Sequence, residues 1–270
     1  MTRITSSALF QRVALLVGKD SLDHFAACRV LVVGLGGVGS WCAEALIRTG
    51  FSRLTLVDSD TICVTNVNRQ AQATAHNVGA IKADELRQRL LTINPEAQVT
   101  ALRLAYDAGT RQQIKLEQFD YVVDAIDSLE NKVLLIEECF RRGIKCYASM
   151  GAAARLDPSQ IHIGTLDQTD TCPLARLVRR ELRRRGVPLD KVPCVYSTES
   201  PLPPAAASSC GLAACLCGLE QSSDDSVVFP NWCERKARIN GAVVHLTGIF
   251  GFMLAGMIVR DATARSSGAK

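Results

Sequence analysis

The sequence lacks the features of a membrane-spanning or secreted protein. It has no uninterrupted run of about eighteen apolar residues, the length that a transmembrane helix needs. Residues 1–7 also lack the apolar region and the cleavage site of a signal peptide. We therefore expect no membrane span and a cytoplasmic location.

The cysteines lack the spacing of a zinc site. The chain has 11 cysteines, and the earlier ones fall in apolar strand or helix patterns, where a reduced thiol packs as a small apolar group. A structural zinc ion takes four tetrahedral ligands, which commonly come from paired cysteines. The later cysteines form no C-x-x-C pair, so no structural zinc is expected. They are Cys210, Cys215, Cys217 and Cys233.

A glycine-rich stretch, VVGLGGVGS at residues 32–40, is the strongest local motif of the chain. An apolar strand pattern leads into it, and a helical pattern follows at residues 41–47. In such a strand–turn–helix unit, glycines let the backbone approach an anion, and the helix N-terminus offers free N–H groups. The motif predicts a nucleotide-binding turn. Its glycines are Gly34, Gly36, Gly37 and Gly39.

Asp58 follows Gly39 by 19 residues, at the end of a second predicted strand over residues 53–57. An acid at this spacing accepts hydrogen bonds from the ribose hydroxyls of a bound nucleotide. The alternative is a strand-end aspartate that caps the next turn. The spacing favours the ribose role.

Strand and helix patterns alternate from residue 28 to residue 149, and this alternation predicts the fold class. We expect an α/β protein with a doubly wound, Rossmann-like, mostly parallel sheet. Ligands bind such sheets at the carboxyl ends of the strands, where the glycine turn, Asp58 and Asp124 would lie. No linker or repeat interrupts the chain, so residues 1–270 are predicted to form a single domain with an elaborated C-terminal half.

Two apolar segments flank this core. Residues 8–26 are predicted to form an amphipathic helical arm with Leu9, Leu16 and Phe25 on its apolar face. Residues 240–260 are apolar with many small side chains, and they are predicted to form a buried helix. Both segments favour packing on a second copy of the chain, so we expect a homodimer.

Functional side chains are dense in an irregular segment, residues 59–77, and just after it. A long irregular loop in a compact domain is usually functional. Arg69 and Lys82 can neutralise a triphosphate as negative charge builds up on it. Asp127, in the segment DAIDS that starts at Asp124, can hold magnesium, which favours one or two carboxylates together with phosphate oxygens. The other polar side chains of the segment include Asp60, Asn66, Asn68, Gln70 and His76.

Together these motifs resemble the adenylating domain of the ubiquitin-activating-enzyme superfamily, which includes activators of the molybdopterin and thiamine pathways. The resemblance covers roughly residues 8–150 and implies that this part binds ATP with Mg²⁺. Such enzymes adenylate a carboxylate and release pyrophosphate. The resemblance implies catalytic roles for Arg69 and Lys82, and a magnesium-placing role for Asp127. The nucleotide-binding residues that it implies are Gly34, Gly36, Gly37, Gly39, Asp58, Asp60, Asn66, Arg69 and Lys82.

The second half resembles one family of that superfamily, the tRNA threonylcarbamoyladenosine dehydratases. The likeness rests on the CPLA segment at residues 172–175, the arginine-rich segment after it and the CVYSTE segment at residues 194–199. In that family, ATP activates the carboxylate of a threonylcarbamoyl group on tRNA, and the activated carboxyl cyclises with loss of water. The resemblance implies a dehydratase whose residues 151–270 bind tRNA and a second subunit.

The net charge is only +4, too small to favour a class of partner, but the charge is unevenly distributed. Residues 176–185 hold six arginines against one glutamate, a net charge of +5. On a helix predicted over residues 173–185, the arginines would face outward and bind tRNA phosphates. The alternative is a solvated helix face. The predicted tRNA contacts are Arg176, Arg179, Arg180, Arg183 and Arg184.

Three positions depart from the family pattern or leave two interpretations open. Superfamily members present an arginine from the N-terminal arm to the partner subunit's ATP. Leu15 stands at that place, and nearby Arg12 is the candidate substitute. Cys172 stands where the family has an acid. Cys194 is either a covalent nucleophile, which needs a lowered thiol pKa, or a packed thiol.

Three other functions fit parts of the sequence. The first is adenylation of the C-terminus of a ubiquitin-like sulfur-carrier protein, against which the missing zinc pairs argue. A sulfur-relay protein is also a candidate partner of the dehydratase. A nicotinamide-dependent oxidoreductase would leave Arg69 and Lys82 unexplained. A catalytically inactive RNA-binding relative is favoured only by Leu15.

Overall fold

A computed structural model describes residues 6–205 and 240–268 of the chain. Within them, one seven-stranded sheet forms the centre of the fold. The inner strands are formed by apolar stretches of the sequence, as expected for strands that are covered on both faces, whereas the two edge strands are partly exposed. The strands are β1 (Arg29–Val33), β2 (Arg53–Val57), β3 (Gln98–Leu102), β4 (Tyr121–Asp124), β5 (Lys145–Ser149), β6 (Ile161–Thr165) and β7 (Pro193–Ser197).

The strand order is β3-β2-β1-β4-β5-β7-β6. All neighbouring strands are parallel except β6 and β7, which pair antiparallel at one edge. From β1 the chain moves outward to β3, then returns to place β4 on the other side of β1. The sheet is therefore doubly wound, with its switch point between β1 and β4, and the predicted fold class is confirmed. Strands β6 and β7 from the second half extend the same sheet.

Helices cover both faces of the sheet. The predicted helices and strands of the first half lie within a few residues of the observed ones. The high content of Pro, Ala and Ser in residues 200–209 predicts an irregular segment, and residues 200–205 form neither helix nor strand. Residues 206–209 and the polar stretch 218–230 lie outside the described residues. The helices are α1 (Ser6–Leu9), α2 (Gln11–Val17), α3 (Lys19–Ala27), α4 (Gly39–Thr49), α5 (Lys82–Ile93), α6 (Leu129–Arg141), α7 (Pro173–Arg184) and α8 (Val244–Gly268).

The two faces of β1 show how the core is divided. Val30 and Val32 pack with residues of α3, α4, α5 and α8. Leu31 and Val33 pack on the opposite face with residues of α6 and α7. Successive side chains of a strand point to opposite faces, so a continuous apolar run is what a strand covered on both sides requires.

The predicted N-terminal arm is helical, but it is divided into three short helices. Gly18, with φ 85°, separates α2 from α3. Phe25 is fully buried, whereas Leu15 and Leu16 are 81% and 85% exposed. Within one chain, Leu16 therefore does not share a buried surface with Phe25, and the predicted packing of the arm on a second copy stays a prediction. Helical periodicity identifies side chains that share a face, but it does not show what covers that face.

The last helix, α8, begins at Val244 and ends at Gly268, whereas the sequence predicts residues 240–260. It packs closely on α4 because Gly251 has no side chain. A Cβ at this position would lie 2.5 Å from the Val38 carbonyl oxygen. In the part of the chain that the structure describes, α8 alone is long and apolar enough to cross a membrane. However, 56% of its apolar window is buried inside the fold, so its composition is weak support for a membrane span.

Candidate active site

The glycine turn lies between the carboxyl end of β1 and the start of α4, where the backbone is closely packed. Gly34 has φ 88°, and a Cβ there would lie 2.6 Å from the Ala125 carbonyl oxygen. A Cβ at Gly39 would lie 1.8 Å from the Gly34 carbonyl oxygen. By contrast, the space beside Gly36 is open. The turn therefore presses against the end of β4 and presents the N-terminus of α4, which favours anions.

The Asp58 carboxylate connects the glycine turn to the end of β2. Its Oδ2 accepts a hydrogen bond from the Leu35 N–H at 2.7 Å, and its Oδ1 accepts one from the Asp60 N–H at 2.8 Å. Burial raises the pKa of this carboxyl, and the charge of Lys82 opposes the rise. Asp58 thus lies beside the turn, as its spacing predicts, and it also caps the following turn. Its contact with ribose stays a prediction.

Lys82 and Asp60 form an ion pair next to Asp58. The Lys82 Nζ lies 2.7 Å from the Asp60 Oδ2. The Lys82 side chain, at the start of α5, is only 8% exposed, whereas that of Asp60 is 31% exposed. Because a buried ammonium group needs a charged or hydrogen-bonding partner, the pairing with Asp60 fixes the position of the Lys82 Nζ at this edge of the sheet.

Arg69 passes beside the glycine turn from the irregular loop that joins β2 to α5. Its Nη1 donates hydrogen bonds to the Thr65 carbonyl oxygen at 2.7 Å and to the Asn68 Oδ1 at 3.0 Å. A Cβ on Gly37 would lie 3.2 Å from the Arg69 Cγ. Burial lowers the pKa of the Arg69 guanidinium, and the charge of Asp127 opposes that shift. Arg69 therefore lies against the glycine turn, and its guanidinium is within electrostatic range of Asp127.

Asn66 holds together the loop that carries Arg69. The Asn66 Oδ1 accepts a hydrogen bond from the Cys63 N–H at 3.0 Å, and the residue is 8% exposed. Trp41 ties the same loop to α4, since its Nε1 donates to the Arg69 carbonyl oxygen at 2.9 Å. Asn66 therefore shapes the loop, and its predicted contact with a phosphate stays a prediction.

Asp127 is exposed in the loop between β4 and α6. Over residues 6–205 and 240–268, no group of three or more histidine, cysteine or acidic side chains is placed to hold a metal ion. A single carboxylate fits magnesium that arrives with a nucleotide, because phosphate oxygens then supply the other ligands. The magnesium role of Asp127 stays a prediction. The four late cysteines considered for zinc lie outside the described residues.

The sequence patterns did not predict a buried ion pair next to the loop that carries Asp127. The Lys132 Nζ lies 2.7 Å from the Asp124 Oδ2 and donates a hydrogen bond to the Ser149 carbonyl oxygen at 2.9 Å. Both charged side chains are fully buried. The pair joins the ends of β4 and β5 to α6. Asp124 is visible in the sequence as a strand-end acid, but no periodicity marks a lysine that points into a core.

Helix α7 has the predicted amphipathic arrangement, with one exception. Ala175, Val178 and Leu182 are buried. Arg179 is half-buried rather than fully outward as predicted, because its guanidinium donates to the carbonyl oxygen and the hydroxyl of Thr169. The other predicted tRNA contacts, Arg176, Arg180, Arg183 and Arg184, are exposed. A surface cavity with a volume of about 510 Å³ is lined by Arg176, Leu177, Arg179, Arg180 and Arg183.

Three further predicted positions have defined surroundings. Cys194 is fully buried in β7, and burial raises the pKa of its thiol to about 12, which favours the packed thiol over the nucleophile. The Cys172 Sγ caps α7, accepting hydrogen bonds from the Ala175 N–H at 3.5 Å and the Gly151 N–H at 3.4 Å. Arg12 is exposed on α2.

Comparison with known proteins assigns the chain to a family. The model of the ThiF family matches residues 10–265. The chain belongs to the ThiF family. Among similar proteins, the tRNA threonylcarbamoyladenosine dehydratase of Bacillus subtilis is 42% identical over 193 residues, covering 72% of this chain and 76% of that protein. The tRNA threonylcarbamoyladenosine dehydratase of Escherichia coli is 35% identical over 276 residues, covering 99% of each.

A solved structure shares the fold of this ThiF-family chain from end to end. The crystal structure of E. coli tRNA N6-threonylcarbamoyladenosine dehydratase, TcdA, in complex with ATP matches with a TM-score of 0.81 and 33% identity. The match covers 100% of both chains. The resemblance to the dehydratase family that the sequence indicates is therefore confirmed, and it extends to the second half of the chain.

Proposed function

We propose that this ThiF-family protein is an ATP-dependent tRNA threonylcarbamoyladenosine dehydratase. A relative that matches its whole length carries that name, and a solved structure of the E. coli protein contains ATP. In this chain, the activity is supported by Asp58 and Arg69, which both contact the glycine turn, and by the ion pair of Lys82 and Asp60 next to Asp58. Two cations beside an anion-binding turn suit a triphosphate, and hydride transfer to a nicotinamide would not need them.

The first half-reaction needs ATP because a free carboxylate is a poor electrophile. The substrate carboxylate attacks the α-phosphorus, pyrophosphate leaves, and an acyl-adenylate forms. Lys82 and Arg69 would hold the phosphate oxygens on which negative charge increases, where fixed charges lower the barrier most. Asp58 would accept hydrogen bonds from the ribose hydroxyls. Magnesium, held by Asp127 together with the phosphates, would supply further neutralisation of charge.

The second half-reaction closes a ring within the substrate. The attacking atom of the threonylcarbamoyl group already belongs to the same molecule as the activated carboxyl carbon, which gives it a high effective concentration. AMP leaves with one carboxylate oxygen, so the nucleoside loses one water overall. This route needs no covalent enzyme intermediate, in agreement with the burial of Cys194 and the raised pKa of its thiol.

The exposed arginines of α7 are the proposed contacts to tRNA phosphates. Arg176 and Arg183 line the surface cavity beside α7. Arg180 and Arg184 share Glu181, with nitrogen–oxygen distances of 3.0 Å and 3.4 Å. Exposed pairs of this kind contribute little to stability, so a phosphate can replace the carboxylate at small cost. A row of cations then attracts a polyanion in a salt-dependent manner.

The N-terminal arm supports the proposal of a homodimer. No residue of α2 is buried, and its Leu15 and Leu16 are almost fully exposed. Neighbouring large apolar side chains in water favour packing against another surface. A second subunit would cover them and bring Arg12 to the interface, within reach of the other nucleotide site. A sulfur-relay partner stays a prediction.

The test is incubation of the purified protein with ATP, magnesium and tRNA that carries threonylcarbamoyladenosine. Nucleoside mass spectrometry should find a product lighter by one water, and AMP should form in equal amount. Asp127→Asn is the control, which should keep the fold and form neither product. Turnover of ATP only with a ubiquitin-like protein ending in Gly-Gly would favour adenylation of a carrier protein instead.

A further inference from the structure

Arg155 is a buried cation in the loop between β5 and β6, and it is 3% exposed. The hydrogen bonds that it donates within the described residues all go to backbone carbonyl oxygens. Its Nε reaches Glu199 at 2.9 Å, and its Nη1 reaches Ala153 at 3.2 Å and also Gly151. Its Nη2 is buried and has no hydrogen-bond partner within the described chain.

The carboxylate of Glu199 is engaged by backbone groups and forms no ion pair with Arg155. Its oxygens accept hydrogen bonds from the backbone N–H groups of Leu156 and Asp157, all at 3.0 Å. A buried charge without a counter-ion is destabilising, and buried donors without acceptors are rare. Among residues 6–205 and 240–268, Arg155 therefore has no acidic ion-pair partner, and its Nη2 is a donor that a ligand could engage.

The N-terminus of α7 meets Arg155 around Gly151. A Cβ at Gly151 would lie 3.2 Å from the Cys172 Sγ and 3.8 Å from the Arg155 Nη1. Cys172 caps this 12-residue helix with a neutral sulfur, through hydrogen bonds of 3.4 Å and 3.5 Å. The partial positive charge of the helix N-terminus thus adds to that of the guanidinium, and both favour an anion.

This cluster lies at the same edge of the sheet as the nucleotide-binding residues. Gly151 follows Ser149, the last residue of β5, and β5 is separated from β1 only by β4. Neighbouring strands are about 4.8 Å apart, so the cluster lies about 10 Å along the sheet from the glycine turn.

The loop that carries Arg155 is also strained. Among the described non-glycine residues, Ala154 is the one with a positive φ, 58°. Its N–H donates to the Gly241 carbonyl oxygen at 2.8 Å, and its carbonyl oxygen accepts from the Leu202 N–H at 2.7 Å. Such strain persists where the surroundings fix it, which is common at ligand-binding sites.

We propose that Arg155 and the N-terminus of α7 form a carboxylate-binding site, which receives the carboxylate that ATP activates. The assignment of the ligand rests on the proposed function, whereas the existence of the site does not. A planar guanidinium suits a carboxylate because it offers donors in a fixed fork. In this role Arg155 binds the substrate carboxylate before a carboxylate oxygen attacks the α-phosphorus and pyrophosphate leaves.

Acetate is the probe for the site itself. The melting temperature of the full chain is measured in sodium acetate and in sodium chloride at equal ionic strength, since a ligand of the native state raises it. Acetate should stabilise the wild type more than chloride does, and Arg155→Gln should remove this difference. Arg142→Gln, which removes an arginine that is 46% exposed, is the matched control and should keep it. An acetate effect of wild-type size in Arg155→Gln would contradict the proposed site.

Gly151→Ala gives a second test if Arg155→Gln folds poorly. It leaves Arg155 in place and introduces a methyl group 3.2 Å from the Cys172 Sγ, in the space where the two positive groups meet. It should also remove the acetate effect. An acetate effect of wild-type size in Gly151→Ala would contradict the proposed position of the anion.

Kinetic measurements test whether the ligand of Arg155 is the carboxylate of the modified tRNA. Arg155→Gln should raise KM for the modified tRNA roughly 10- to 100-fold, as expected for a lost charged hydrogen bond, and leave KM for ATP unchanged. An unchanged KM for tRNA in a variant that has lost the acetate effect would reject the substrate carboxylate as the ligand. An acetate effect that depends on Arg155, in a wild type that does not dehydrate the tRNA, would support the site and reject the proposed function.

Discussion

Lys132 and Asp124 form an ion pair in which both side chains are fully buried, with 2.7 Å between the Nζ and the Oδ2. The Nζ also donates to the Ser149 carbonyl oxygen at 2.9 Å. The pair lies at the base of the loop that carries Asp127. Burying two charges is costly, so a structure keeps such a pair where it contributes a defined geometry. Our hypothesis is that it holds the loop in place for magnesium and phosphate.

Removing one partner of this pair should destabilise the protein more than removing both. Lys132→Met leaves the Asp124 carboxylate buried without compensation, and we expect a loss of about 3–5 kcal/mol in the free energy of unfolding. The double variant Lys132→Met/Asp124→Leu should lose less, because no uncompensated charge remains. Urea denaturation of the wild type, the two single variants and the double variant gives the comparison. Additive losses would show that the two charges act independently.

Arg69→Ala and Asp127→Ala should abolish turnover and leave the fold intact. In the proposed function, each removes a group that faces the developing charge on the phosphates, and the loss of one such contact commonly lowers kcat by about 100-fold or more. Neither change removes the hydrogen bond from Trp41 to the Arg69 backbone. Product formation and the melting temperature are measured together. Normal turnover in either variant would reject its assigned role.

The nucleotide-binding edge could be predicted because its signals are local. The glycine turn, Asp58 and Lys82 each follow from short-range patterns, such as a strand, a spacing or a helix start. The parallel sheet then brings them to one edge, since its strands all end on the same side.

Contacts between distant segments could not be predicted in the same way. The Arg179 guanidinium contacts Thr169 because the loop before α7 places the Thr169 carbonyl oxygen within its reach. A helical pattern in the sequence does not reveal that acceptor. Lys132 is buried because Asp124 on β4 and Ser149 on β5 both face it. In each case the partner, not the residue type, determines the position of the side chain.

The exposed arginines of α7 should contribute more to tRNA binding than Arg179 does. Arg176→Gln and Arg183→Gln should weaken binding, and each should reduce the salt slope of the affinity by about one if it contacts one phosphate. Arg179→Gln should instead lower the melting temperature, because the Thr169 contacts are lost. Filter binding over a series of salt concentrations gives the slopes, with Arg142→Gln as the control. An equal change of slope in Arg179→Gln would mean that this side chain leaves Thr169 to bind RNA.

Charged residues in the N-terminal arm should disrupt the proposed dimer. Leu15→Glu and Leu16→Glu place a carboxylate in an apolar contact, where it is poorly tolerated. Analytical ultracentrifugation should show a dimer for the wild type and a monomer for these variants. Phe140→Glu, at a residue that is 40% exposed on α6, is the control and should stay dimeric. A monomeric wild type would contradict the proposal.

Mixed subunits test whether Arg12 acts on the other nucleotide site. Arg12→Ala and Asp127→Ala subunits are first assayed separately, and both should be weak or inactive. After exchange of subunits, some dimers contain one site with an intact Asp127 that faces an intact Arg12. Activity should then recover in part. Activity that does not recover, in samples where exchange is verified by mass spectrometry, would assign Arg12 no role across the interface.

Two glycines of α8 should respond in opposite directions to alanine. At Gly251, a Cβ would lie 2.5 Å from the Val38 carbonyl oxygen and 2.9 Å from the Cys42 backbone nitrogen, so Gly251→Ala forces α8 away from α4. We expect a loss of about 1–3 kcal/mol in the free energy of unfolding, as for other overpacked cores. At Gly256 nothing lies within 4 Å, and alanine favours a helix by about 1 kcal/mol over glycine, so Gly256→Ala should stabilise. Thermal unfolding of the two variants measures both effects. A higher melting temperature for Gly251→Ala would show that α8 does not pack on α4 at this distance.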